Sequence, residues 1–290
     1  MAQCKQRTKN RIWRLAAILF ILAAGCSSDT DPSPSNGLPQ AAPPAITGAR
    51  LLFHRPDGLY LMTLGQPESQ NLHPHGRYGR WAPDGRSFAF LAQDQIFWQD
   101  LHTGNAQPLT TVRKPGAITF HPDGNQILFT DGDAIRSVRR DTRQVQTILT
   151  GPAFLELDVA TDGSFLATTV RRFGYRVMRW ELPDGNAHDF GRGCSAGISP
   201  DDRWITINAQ DHLSLTLHDS RSGQASRQLP APAGYPLDNQ KWSNHQDWIA
   251  GIVEEPAQDI IVQFVPDGSV WRVTDVGDAD RPDIFMPPDI

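Results

Sequence analysis

Arg80-Trp81-Ala82-Pro83-Asp84-Gly85 does not occur alone. Variants of it follow as Thr119-Phe120-His121-Pro122-Asp123-Gly124, Asp158-Val159-Ala160-Thr161-Asp162-Gly163 and Gly197-Ile198-Ser199-Pro200-Asp201-Asp202. A worn copy stands at Lys241-Trp242-Ser243-Asn244-His245-Gln246, and the end of the chain reads as another, Phe285-Met286-Pro287-Pro288-Asp289-Ile290. The proline places are then 83, 122, 161, 200, 244 and 288, at intervals of 39, 39, 39, 44 and 44 residues. A period of that length marks an array of like structural units.

Each copy has the chemistry of a tight hairpin. An apolar residue ends one strand, Pro presets φ at the first turn position, Asp suits the second, and Gly takes the left-handed conformation that follows. A short apolar run comes next at constant offset, as in Phe88-Ala89-Phe90, Ile127-Leu128-Phe129 and Trp248-Ile249-Ala250. A third run follows, as in Ile96-Phe97-Trp98 and Ile260-Ile261-Val262-Gln263-Phe264, then turn residues such as Thr103-Gly104-Asn105 or Pro266-Asp267-Gly268, then a fourth run. Four short strands per repeat, arranged radially, make a propeller blade. No sustained 3.6-residue apolar period competes with this reading.

The ends of the array complement each other. Residues 51–54, 59–62 and 70–72 look like the second, third and fourth strands of a blade that lacks its first. Residues 283–288 look like a first strand with nothing after it. The expectation is an all-β, six-bladed propeller over residues 46–290, four antiparallel strands per blade, its first blade closed by the C-terminal strand. Closure would pair Ile284 and Phe285 with the 51–54 strand and bring Ile290 within roughly 10 Å of Ala49 at ~3.8 Å per residue step.

The repeat resembles that of the TolB family of propellers, with its aromatic-Ser-Pro-Asp-Gly core, over residues 50–290. That resemblance implies a six-bladed fold and a habit of binding proteins. TolB proteins are soluble and carry an α/β domain before the propeller. Here only a tether is expected before it, and a lipid anchor with it.

The N-terminus supplies that anchor. Lys5, Arg7, Lys9, Arg11 and Arg14 open the chain without an acid, and residues 15–24 are uncharged and nearly all apolar. Ten helical residues cover ~15 Å, about half a bilayer core, so this is the core of a signal peptide and not a spanning helix. It ends in Leu22-Ala23-Ala24-Gly25-Cys26, which resembles a bacterial lipobox. The expectation is a signal over residues 1–25, an acylated Cys26 as the first mature residue, and a disordered Pro- and Ser-rich tether to residue 45. Ser27 after the cysteine points to the outer membrane by resemblance to enteric lipoproteins.

Charge narrows the partners. The whole chain is at −5, and without the five basic residues of the signal it holds 22 basic against 32 acidic residues. That weighs against nucleic acid and against a general attraction to anionic lipid, leaving the anchor as the membrane contact. The expected partner is an envelope protein, with the chain itself a monomer.

The chemistry-bearing residues are sparse. Cys4 leaves with the signal and Cys26 takes lipid, so Cys194 has no cysteine to pair with and reads as a small buried residue. His73-Pro74-His75 is the one close histidine pair, a weak metal candidate whose third ligand would come from His54, His188 or His212. No cofactor is expected. In a propeller, the loops from second to third strand and from blade to blade share one face. That face should be basic on one side, with Arg77, Tyr78, Arg113, Lys114, Arg171, Arg172, Phe173, Tyr175 and Arg192. It should be acidic on the other, with Glu254, Glu255, Asp259, Asp278, Asp280 and Asp283, and Tyr78, Phe173 and Tyr235 would serve as anchors. The leading reading is a protein-binding scaffold. The alternative is a periplasmic polysaccharide lyase or hydrolase with its site at the channel mouth.

Overall fold

The computed structural model describes residue 38 and residues 42–232 and 234–288. Cys26, the signal, most of the tether and the expected approach of Ile290 to Ala49 lie outside the described residues. Twenty-four strands, β1 to β24 in chain order, sort among the described residues into six sheets of four. Five sheets use consecutive strands. The remaining one joins β24 (Asp280–Phe285) to β1 (Arg50–Arg55) and the two strands after it, through Arg50↔Phe285, Leu51↔Ile284 and Leu52↔Asp283. The expected closure of the first blade is thus present.

The innermost strands are β24, β4 (Arg77–Trp81), β8 (Pro115–Phe120), β12 (Ala153–Val159), β16 (Cys194–Ile198) and β20 (Leu237–Trp242). Each lies against the next, and β24 touches both β20 and β4, so the ring has no gap. The second strands are buried on both faces between neighbouring blades. β5 (Ser87–Ala92) and β21 (Trp248–Val253) have no exposed residue, which explains their continuous apolar sequence. Outer strands such as β11 (Val145–Thr150) and β19 (Ala225–Pro230) are mostly polar and exposed.

Packing joins blade to blade. Leu52 and Leu59 of the first blade share one cluster with Trp81, Phe88 and Phe90 of the second and with Phe285 of the closing strand. Each fully buried ring contributes about 1.5–3 kcal/mol. Leu38, within the stretch read as tether, is buried with Leu237, Val253, Ile261 and Val270. The 3-10 turn Pro44–Ile46 seats Ile46 in the core.

The repeated motif folds as its residues require. Gly85, Gly124 and Gly163 have φ of 63°, 68° and 74°, and Asp202 takes the same conformation at 58° in the fourth copy. The Asp84 carboxylate accepts the Arg86 N–H at 2.9 Å, and Asp123 and Asp162 each accept the N–H two residues on at 2.8 Å.

The last copy starts two residues earlier than its prolines suggest. Leu51↔Ile284 corresponds to Phe88↔Trp81 in the next blade, so Met286 and not Pro288 takes the Pro83 place. The physical reason is Asn244, whose side chain grips the Met286 backbone on both sides. The Met286 N–H donates to Oδ1 at 2.6 Å, and Nδ2 donates to the Met286 carbonyl at 2.8 Å.

Candidate functional site

Every innermost strand is interrupted by a register shift, as between Arg77 and Arg80, Cys194 and Gly197, or Asp238 and Lys241. At one equivalent place in four blades the bulged residue is left-handed without being glycine: Tyr78 at φ 55°, Ser195 at 56°, Asn239 at 54° and Arg281 at 51°. Bulges re-aim side chains, and backbone of this kind gathers at functional sites. Here they turn polar groups onto the ring axis. Arg281 of the first blade reaches Glu156 of the fourth at 3.3 Å, a contact between opposite blades that runs across the central channel.

Toward the motif hairpins, the channel widens into a cavity of about 330 Å³ lined by Arg80, Trp81, Asp158, Lys241, Trp242 and Asp283 among others. Lys241 Nζ lies 2.7 Å from Asp158 Oδ1, while Asp158 Oδ2 accepts the Ile198 N–H at 2.9 Å. Asp283 likewise accepts from the blade after its own, taking the Trp81 N–H at 2.7 Å. Burial pushes the Asp283 carboxyl up, against the pull of Arg80 and Lys241.

The opposite end is a second polar cluster. Burial weighs against the charge on Arg281, but Tyr78, Glu156, Asp280 and Asp238 around it hold its pKa above the ordinary value. Burial lowers His54 to about 4, with Arg281, Arg77 and Arg80 adding to the effect and Asp280 opposing it. Between blades five and six, Cys194, His212 and Asp238 bring one metal-capable donor atom each within 4.8 Å of the others. Burial pushes the Asp238 carboxyl up.

The residues singled out from sequence distribute unevenly over this geometry. Arg113, Lys114, Arg171, Arg172 and Arg192 are exposed, and Phe173, at φ 52° in the hairpin after β13 (Phe165–Arg171), is 93 % exposed. Tyr175 and Tyr235 are half-buried. Arg77 is half-buried beside Asp94 at 3.6 Å. Tyr78 is not a surface anchor, because it is buried in the apolar cluster with Ala89, Leu91 and Ile118, against His54 and under Arg281. The acidic half is largely spent on internal contacts. Glu254 sits 3.3 Å from His212 Nδ1, Asp278 pairs with Arg55 at 2.9 Å, and Asp259 accepts from Thr274 and Gly277 at 3.0 Å. Asp283 is buried, and Glu255 remains exposed. His73 packs on the Phe90 and Phe97 rings and His75 is exposed, and among the described residues the pair gathers no ligand set. The cluster that does form needed residues from two blades, and no local spacing in the chain marks it.

No family model matches the chain, and no curated protein matches it by sequence. Solved structures do. TolB from Acinetobacter baumannii superposes with a TM-score of 0.70 at 18% identity, over 82% of this chain and 67% of that one. A TolB-assigned protein of Agrobacterium tumefaciens gives 0.64 at 13%, over 80% and 90%. A chain of a nidogen/laminin complex gives 0.69 at 10%, over 82% and 98%. At these identities the likeness establishes the six-bladed fold and nothing narrower.

Proposed function

We propose that the chain is a lipid-anchored propeller of the bacterial cell envelope that binds another envelope protein through the face carrying residues 171–173. Phe173 carries the reading. A phenylalanine 93 % exposed at a hairpin tip, between two exposed arginines and Gly174, has no use in holding the blade together. An aromatic anchor rimmed by charge is what a protein interface uses. The arginines favour a partner with acidic groups around an apolar pocket. Cys26 supplies the anchor and Ser27 favours the outer membrane facing the periplasm, with the propeller working as a monomer.

Two experiments test this. A radioactive fatty acid should label the wild type and not Cys26→Ser, and equal labelling of both removes the anchor from the proposal. A photo-crosslinking residue at position 173 should give a discrete adduct in cells, lost when Arg171 and Arg172 become Glu. The same probe at Thr142, on a turn of the opposite face, should give none. Identical adducts from both positions would place the docking surface elsewhere.

A further inference from the structure

Cys194 opens β16, His212 sits in the turn before β18 (Ser214–Asp219), and Asp238 lies in β20 of the next blade. We propose that these three side chains bind a divalent transition-metal ion, zinc by their donor chemistry, and that the ion ties blade five to blade six. Cys194 Sγ is 3.8 Å from His212 Nε2 and 3.7 Å from Asp238 Oδ1. Around tetrahedral zinc, with bonds of about 2.3 Å to sulfur and about 2.0 Å to nitrogen and oxygen, donors stand roughly 3.5 Å apart. Asp238 Oδ2 stands 3.9 Å from the other ring nitrogen, His212 Nδ1, and the three donors lie within 4.8 Å of one another, so binding draws them together by up to roughly 1 Å. Thiolate, imidazole and carboxylate together suit zinc, whereas calcium and magnesium take oxygen alone.

A further carboxylate orients the histidine. Glu254 Oε2 lies 3.3 Å from His212 Nδ1, on the far side of the ring from the cysteine. A carboxylate holding Nδ1–H directs Nε2 outward as the coordinating nitrogen, the arrangement that orients histidine on metal ions. The backbone is fixed to match. The His212 carbonyl accepts the Leu237 N–H at 2.9 Å, and Asn208 Nδ2 donates to the Leu237 carbonyl at 2.8 Å. Gly193, at φ 147°, lets the chain run so close to β17 (Trp204–Asn208) that a Cβ there would stand 2.3 Å from the Asn208 carbonyl oxygen. Cys194, His212 and Asp238 are only 3%, 4% and 7% exposed. On binding, the thiol S–H breaks, an S–Zn bond forms, and the proton passes to solvent, so uptake weakens as pH falls. Three protein ligands leave one coordination position for water.

The full chain, stripped with a chelator and titrated with zinc chloride against a chromophoric chelator, should take up zinc stoichiometrically. Cys194→Ser and His212→Gln should each lower affinity at least about 100-fold, and Glu254→Gln by about 10–100-fold. With cobalt(II) as probe, a thiolate-to-cobalt charge-transfer band should appear in the wild type and in Cys26→Ser, and vanish in Cys194→Ser. Failure of the wild type to bind zinc stoichiometrically, or a cobalt band that survives Cys194→Ser, overturns the site. Should Cys194→Ser not fold, the wild type decides. Zinc must raise its melting temperature with rising concentration and chelator must reverse the shift, and no shift overturns the proposal.

Discussion

His54 shows how one residue records its surroundings. Its ring nitrogen lies 3.8 Å from Asp280 while burial and three arginines keep it neutral, with a folded pKa of about 4 against an unfolded 6.5. The folded state then binds fewer protons than the unfolded one between those values. The stability this contributes is full above pH 6.5 and lost as pH falls to about 4, up to roughly 3 kcal/mol. Denaturant titrations at several pH values should show the wild type losing more stability over that window than His54→Gln, and parallel curves would contradict the assignment. Lys241 offers a second test at this scale. Removing it as Lys241→Met leaves the Asp158 carboxylate buried without its cation and should cost about 3–5 kcal/mol. Adding Asp158→Asn should recover most of that, and a double variant no more stable than the single one would show that the ion pair is not the cause. Neither residue was legible as special in the sequence. His54 stood there only as a possible third metal ligand, and Asp158 and Lys241 read as repeat-motif positions. Their roles come from bulges that aim side chains across a channel, a property of the closed ring and not of any local spacing.

The hairpins and strands, by contrast, were legible, because each repeat states its own turn chemistry. Pro, Asp and Gly at fixed offsets define the connection, and the apolar runs around them define strands whose number and order the structure bears out. What the repeat could not show is that equivalent glycines carry different burdens. A Cβ on Gly124 would meet nothing within 4 Å, while one on Gly85 would lie 2.3 Å from the Phe285 ring of the closing strand. Both have left-handed φ, so alanine costs about 1–2 kcal/mol of backbone strain at either place. Gly85→Ala must also displace Phe285 and should cost clearly more than Gly124→Ala in equilibrium denaturation. Equal losses would mean that Phe285 moves aside freely and that the seam between the first two blades is looser than its packing indicates.

At the scale of the whole molecule, stability rests on the junction where the last chain segment completes the first blade. The sequence announced this junction through two complementary blade fragments, but misplaced its register by two residues, because Pro287-Pro288 imitates the motif better than Met286 does. The worn copy at residues 241–246 looked like decay for a related reason. Asn244 stands where three of the other copies have proline, and a proline side chain has no donor or acceptor. The asparagine amide makes two hydrogen bonds to the Met286 backbone, of 2.6 and 2.8 Å, so it acts as one more rung of sheet between blade six and the closing strand. Restoring a repeat consensus usually stabilises a protein by about 0.5–2 kcal/mol. Here the expectation is reversed. Asn244→Pro should destabilise by roughly 2 kcal/mol, since both Met286 groups lose their partner in a part-buried site. Deleting residues 282–290 goes further, removing Asp283 from the Trp81 N–H and exposing the edge of β1, and should cause cooperative unfolding or aggregation of the whole ring. Thermal melts of the two variants separate the contributions. An Asn244→Pro protein that melts at or above the wild-type temperature would show that the turn preference of proline outweighs the clamp, and that closure depends on the strand pairing alone.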